Sequence, residues 1–245
     1  MNSIATILRK WAAVALDLSD RVLGYEPRLL PADDAIAHFD VLIRWGDGES
    51  SLVIGKSTSF QQASPALAEE LRQLLRLRDP RAILCLPGPL VKRSPFRSSD
   101  DRFRRIWLLS AVVMRLWARR GPYGDSLMFR REFGAAGLDA LSNLPLRGER
   151  IVLVSSESRH LDSLRRMWPH ADARHILVPA SNAYARRDEI KQSILALGKP
   201  DVLLLSAGPT GKCLARELMT RWHEGVKIID TGYLFDHLQD RRESQ

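Results

Sequence analysis

Cysteine is scarce: only Cys85 and Cys213 occur in 245 residues. Each sits inside an apolar stretch, which excludes a disulfide framework and a cysteine-built zinc site and points to reduced core thiols. Six histidines are present without a His-x-x-x-His pair, and no Cys-x-x-Cys occurs. The usual zinc spacings are therefore missing. No apolar run approaches the length of a transmembrane helix. Arg9-Lys10 before Trp11–Leu16 faintly resembles a signal peptide, but Asp17 and Asp20 end the run and no small-residue cleavage pattern follows. A cytoplasmic protein is expected. The absence of Gly-x-Gly-x-x-Gly argues against a dinucleotide oxidoreductase, and that of a Gly-x-Ser-x-Gly elbow against a hydrolase. No internal repeat or low-complexity stretch is evident.

Acid is the scarcer charge. Lys and Arg number 37 against 29 Asp and Glu, giving a formal charge of +8 and a pI near 9.9. An anionic partner follows: a phosphorylated substrate, an anionic membrane surface or nucleic acid, the last without any recognisable binding motif. Hydrophobic residues are 45% and charged residues 27%, ordinary for a globular chain able to bury a core. Residues 1–30 read as an amphipathic helical flank, with Ile7, Trp11, Val14, Leu18 and Val22 at helical spacing. Residues 31–240 read as a single α/β domain. From Gly148 onward short apolar runs (Ile151–Val154, His175–Val178, Val202–Leu205, Val226–Ile229) alternate with amphipathic helical stretches. That alternation predicts a Rossmann-like, mostly parallel sheet with helices on both faces, its strand-end loops gathered at one edge.

Four such loops are chemically loaded. Phe39–Ile43 predicts a buried strand, followed by Arg44-Trp45-Gly46-Asp47-Gly48-Glu49. The two glycines permit a sharp reversal at positive φ, and carboxylates at i and i+2 of a turn can point the same way. Two such carboxylates suit a hard divalent cation, although Gly-Asp-Gly is also ordinary turn chemistry. Ser155–Arg159 and Pro179–Ala183 stand at helix entries, where anions are held. Ser206–Lys212 invites a Walker A reading, but Ser206 stands at the first glycine and Cys213 at the magnesium-binding hydroxyl, so a P-loop is rejected. What remains is a small-residue loop at a helix amino end, suited to a diphosphate or simply to a tight turn. Lys92–Arg120 is strongly basic around Trp107 and Trp117. It reads either as a helix packing its tryptophans in the core or as a surface facing anions or a membrane.

Taken in order, Gly46–Glu49, Phe60-Gln61 with Ser64 and Leu67, Ile151–Val154 with Glu157–Arg159, Pro179, Asn182–Tyr184, Ile190, Ala207–Thr210 and Ile229–Gly232 resemble the GT-D fold family of bacterial glycosyltransferases. The resemblance runs from about residue 40 to 237. It implies a metal-dependent glycosyltransferase with an Asp-x-Glu motif, moving a sugar from a nucleotide-sugar donor, a UDP-sugar first, to a glycan, lipid-linked or protein acceptor. Implied metal ligands for Mn2+ or Mg2+ are Asp47 and Glu49, with Asp230 as a further catalytic candidate. Gln61, Arg130, Glu157, Arg159, Asn182, Gly208, Pro209, Thr210 and Tyr233 are implied to line the donor pocket. The base is left open among Asp230, Glu157 and Asp47. A histidine often follows the Asp-x-Gly in this family; here Tyr233 stands there, and His237 four residues on is a possible helper. Peripheral contact with the inner membrane face through Lys92–Arg120 completes the expectation. The alternative from another class is a non-catalytic nucleotide- or polyanion-binding α/β module.

Overall fold

The computed structural model describes residues 28–87, 110–114, 116–117, 121–130, 136–144 and 149–240. The amphipathic stretch expected at the amino terminus and most of the basic section, Trp107 included, lie outside the described residues. So does the side chain of His237.

The strands are β1 (Val41–Arg44), β2 (Ala82–Leu86), β3 (Gly124–Asp125), β4 (Arg150–Ser155), β5 (Asp172–Leu177), β6 (Val202–Ser206) and β7 (Lys227–Asp230). They form one sheet in the order β3-β2-β1-β7-β6-β4-β5, every pairing parallel. Around it pack α1 (Ala32–His38), α2 (Asp47–Val53), α3 (Pro65–Leu75), α4 (Ala136–Ser142), α5 (Arg159–Met167), α6 (Arg187–Ala196), α7 (Gly208–Arg221) and α8 (Leu234–Asp240).

Strand periodicity divides the core in two. Val41, Ile43, Val152, Val154, Leu203, Leu205 and Ile228 point to the face covered by α2, α3, α6 and α7. Leu42, Ile83, Ile151, Leu153, Val202, Leu204 and Ile229 point to the face covered by α1, α4, α5 and α8. Side chains alternate across a strand, so a strand buried on both sides is apolar at consecutive positions, and that is why these runs were readable as strands. Cys85 and Cys213 are buried and free, as expected, and burial pushes both thiols well above their usual pKa.

Two local expectations are corrected. The reversal anticipated at Gly46 and Gly48 is instead the entry to α2. Gly46 is extended, with φ −121° and ψ −176°, and Asp47 opens the helix. Asp47 and Glu49 in the first turn complement the positive end of the helix dipole, and Glu49 reaches back to accept from the Gly46 amide at 2.7 Å. The small-residue loop before Lys212 is also shorter than anticipated. The helix begins at Gly208 with Pro209 in its first turn, a position where a missing N–H costs nothing, so Thr210, Gly211 and Lys212 are helical.

The start of α3 follows its sequence closely. Ser64 is extended and its hydroxyl accepts from the Leu67 amide at 3.2 Å, with Pro65 next. Leu67, Leu71, Leu74 and Leu75 are fully buried on one face. Replacing Ser64 by Ala removes the cap and is expected to cost about 1 kcal/mol in urea unfolding with an unchanged slope.

Candidate functional site

Because all seven strands run the same way, the loops after their carboxyl ends converge. They enclose a cavity of about 450 Å³. Each strand contributes: Arg44 at the end of β1 and Trp45–Glu49 after it, Pro87 after β2, Ser126 and Leu127 after β3, Ser156 and Glu157 after β4. Pro179 and Ala180 follow β5, Ser206–Pro209 follow β6, and Gly232 and Tyr233 follow β7. This is the crevice in which open parallel sheets hold ligands.

Three of the contributing segments are cross-tied at the floor. Arg44 donates through Nε to the Ser126 carbonyl at 2.6 Å and through Nη1 to the Thr231 carbonyl at 2.7 Å. Its guanidinium also lies 5.6 Å from the centroid of the Phe129 ring. Asp230 is fully buried and accepts from the Arg44 amide at 3.1 Å and the Gly232 amide at 3.2 Å. Gly232 has φ +53°, a conformation few L side chains adopt, and a Cβ there would strike the Arg44 guanidinium. Lys212, from the first turns of α7, reaches into the same floor. Its Nζ stands 3.0 Å from Glu49 Oε1 and 3.0 Å from Asp230 Oδ2. Burial alone lowers an ammonium pKa, but Asp230 and Glu49 more than offset it, holding Lys212 above the usual lysine range.

The residues singled out in the sequence separate into two groups. Asp47, Glu49, Gln61, Arg130, Glu157, Gly208, Pro209 and Tyr233 line the cavity. Asp230, Thr210, Asn182 and Arg159 do not. Asp230 lies beneath the floor with its oxygens already accepting, and the Thr210 hydroxyl is buried without a hydrogen-bond partner. Asn182 acts through its neighbour. In the left-handed conformation at φ 53°, it donates its amide to the Phe60 carbonyl at 2.8 Å and accepts from the Gln62 amide at 2.7 Å. That clamps the segment carrying Phe60 and Gln61 against the cavity. Arg159 pairs with Glu157.

Sequence reasoning missed Lys212, Arg44, Phe60 and Asp236, all of which line the cavity. Lys212 was noticed only as part of a failed motif, and nothing in its neighbours announces two carboxylate partners from distant segments. The Phe60 ring lies over Gly48 and Gly208. A Cβ on either would meet it at 3.1 Å and 3.6 Å respectively, so the ring's seat depends on those glycines. Asp236, on α8, accepts from the buried His160 Nε2 at 3.1 Å, tying α8 to α5. Tyr233 is 59% exposed; burial of part of the ring, then Glu49, raises its phenol pKa, so it stays protonated near neutrality.

The acidic motif does not fit a shared divalent cation. Helical geometry sends Asp47 outward and Glu49 inward: Asp47 is exposed and Glu49 only 5% exposed. Glu49 spends one oxygen on the Gly46 amide and the other on Lys212, leaving Asp47 as the carboxylate of the motif open to a ligand. A second set exists, because Glu157, His160 and Asp236 offer ligand atoms within 4.8 Å of one another. There too Glu157 already pairs with Arg159 and His160 with Asp236.

Comparison with known proteins agrees with the fold. The family model described as glycosyltransferase GT-D fold matches residues 42–239. A probable glycosyl transferase Gly of Streptococcus gordonii is 23% identical over 202 residues, covering 79% of this chain and 29% of that protein. The glycosyltransferase GlyD of Streptococcus pneumoniae serotype 4 is also 23% identical, over 82% of this chain and 26% of its own length. The chain thus spans less than a third of these curated relatives. Among solved structures, one of the highly conserved domain of unknown function 1792, described as having a distinct glycosyltransferase fold, superposes with a TM-score of 0.76 at 21% identity. It covers 96% of this chain and 86% of its own. A new glycosyltransferase from Streptococcus sanguinis gives 0.70 at 21% identity, over 89% and 85%.

The floor geometry predicts very unequal stability effects for two aspartates. Asp230→Ala leaves buried Lys212 short of a partner and is expected to cost about 3–5 kcal/mol, whereas exposed Asp47→Asn loses only its interaction with the α2 dipole, about 0.3–1 kcal/mol. The Lys212 contribution has a defined pH dependence. A raised folded pKa means the stabilisation is fully present below the unfolded value of 10.5 and is lost only as pH rises through the folded one. Ionisation of Lys212 should therefore add no step to the wild-type melting temperature between about pH 6 and about pH 9.

Proposed function

Because the chain belongs to the glycosyltransferase GT-D fold family, we propose that it transfers a sugar from a nucleotide-sugar donor, a UDP-sugar first, to an acceptor hydroxyl on a glycan, glycolipid or glycoprotein. The observation that carries this reading is the amino end of α7 opening into the cavity with Lys212 at its base. First-turn N–H groups of a helix lack intrahelical partners and face an anion with the positive end of the dipole; Pro209 subtracts one of them. Gly208, in the left-handed region at φ 54°, lets the chain approach a diphosphate closely. Arg130 lines the same cavity and adds cationic charge.

In the reaction, the acceptor oxygen bonds to the anomeric carbon. The bond from that carbon to the diphosphate oxygen breaks, and its electron pair leaves with the nucleoside diphosphate. Negative charge grows on the leaving group, where the α7 amino end and Lys212 stabilise it. The acceptor proton needs a base. Asp230 is enclosed by its donors and Glu157 carries Arg159, so Asp47, exposed on the cavity rim, is assigned that role. Phe60 and Tyr233 supply aromatic walls for the base or sugar, and Tyr233 can donate one hydrogen bond.

The alternative, a binding module without chemistry, keeps the cavity and loses turnover. A panel of nucleotide sugars assayed for nucleotide release separates the two. Release or transfer with one donor supports the enzyme; nucleic-acid binding with no turnover under any donor supports the module. With the active donor, Asp47→Asn should lower turnover at least about a hundredfold while the protein stays folded. Tyr233→Phe should cost about 1 kcal/mol, or roughly five- to tenfold.

A further inference from the structure

Glu49 and Asp230 stand after and at the ends of the adjacent strands β1 and β7, and their oxygens face a common point. Two carboxylates converging from different segments make a site for a hard cation. Here the point is held by the Lys212 ammonium, 3.0 Å from an oxygen of each and 3.4 Å from the Gly208 carbonyl. We propose that Lys212 is the resident cation of the donor pocket, standing where the acidic motif would otherwise take a divalent metal, so that the donor diphosphate binds without a metal there. The proposal rests on the nucleotide-sugar reading above.

Three observations carry it. Glu49 is committed on both oxygens, and the backbone is built to keep it so. A Cβ at residue 46 would lie 2.8 Å from Glu49 Oε2, so glycine at that position is what lets the carboxylate fold back. The charges of the floor already balance, with the Lys212 and Arg44 cations against the Glu49 and Asp230 anions. A divalent ion placed on Glu49 would lie beside a fixed ammonium that repels it. Lastly, the Lys212 side chain is only 7% exposed, yet the residue lines the cavity beside the amino end of α7. A phosphate drawn to that helix end can take over the ammonium's weakest contact, the 3.4 Å one to the Gly208 carbonyl, while Glu49 and Asp230 keep the other two N–H groups. A lysine differs from a metal in that no chelator removes it, and that difference is measurable.

The experiment is calorimetric titration of UDP into the intact protein, once in EDTA and once in millimolar manganese. Equal affinity within about twofold in the two buffers is expected, because the cation belongs to the chain. Lys212→Met should weaken UDP in EDTA at least about tenfold, and Lys212→Arg, which keeps the charge, should recover part of the loss. Lys212→Met strands two buried carboxylates, so its circular dichroism is recorded alongside; if it does not fold, the wild-type comparison alone decides. UDP binding that appears only with manganese, at the acidic motif or at Glu157–His160–Asp236, overturns the proposal and leaves the transferase reading standing. Affinity unchanged in folded Lys212→Met also overturns it. No UDP binding in either buffer overturns it together with the nucleotide reading beneath it.

Discussion

One ammonium holds the site together. Lys212 joins a helix after β6 to a carboxylate after β1 and a carboxylate at the end of β7, the strands at the middle of the sheet. Burying two carboxylates without a counter-charge is prohibitive, and burying a lysine without one is as bad; together they satisfy each other. The rest of the floor is arranged around that exchange. Arg44 ties β1 to the segments after β3 and β7, Asp230 caps the Gly232 amide, and Glu49 closes the first turn of α2. The geometry of the cavity is thus fixed before any ligand arrives, which lowers the ordering cost of binding.

This arrangement changes what the acidic motif does. Side by side in sequence, Asp47 and Glu49 look like one functional unit. On the first turn of a helix they diverge: one carboxylate faces the cavity rim and the other is drawn into the floor. In the reaction proposed above, the exposed acid serves chemistry and the buried, charge-paired one serves architecture. The Asn182 clamp on the Phe60–Gln62 segment is another case of a polar residue that shapes the cavity without lining it.

Much of the fold was legible because its strands are buried on both faces. Val202–Leu205 and Ile151–Val154 are uninterrupted apolar runs, and a two-sided core is what produces them. The Ser64-Pro65 start of α3 was equally plain, since cap and first-turn proline are local chemistry. Elements with little local signal were missed: β3 is the two residues Gly124–Asp125, and α1 is a seven-residue helix whose buried face is only Ala32, Ala35 and Ile36. In the site, residues carried by recognisable loops such as Asp47, Glu157 and Gly208 were found. Arg44 and Lys212 were not, because Arg44 meets Thr231 187 residues away and Lys212 meets Glu49 from the first strand-end loop, pairs that arise only once the sheet has formed. Trp117, read either as core or as a membrane-facing side chain, packs against the core under the Arg72 guanidinium.

Which cation meets a bound diphosphate is open to direct measurement. A crystal of the protein grown with UDP and soaked in manganese, with diffraction recorded at the manganese absorption edge, addresses it directly. The account predicts a phosphate oxygen about 2.8 Å from Lys212 Nζ and no anomalous peak between Asp47 and Glu49. A manganese peak bridging Glu49 and the diphosphate, with Lys212 turned away from Asp230, would contradict it.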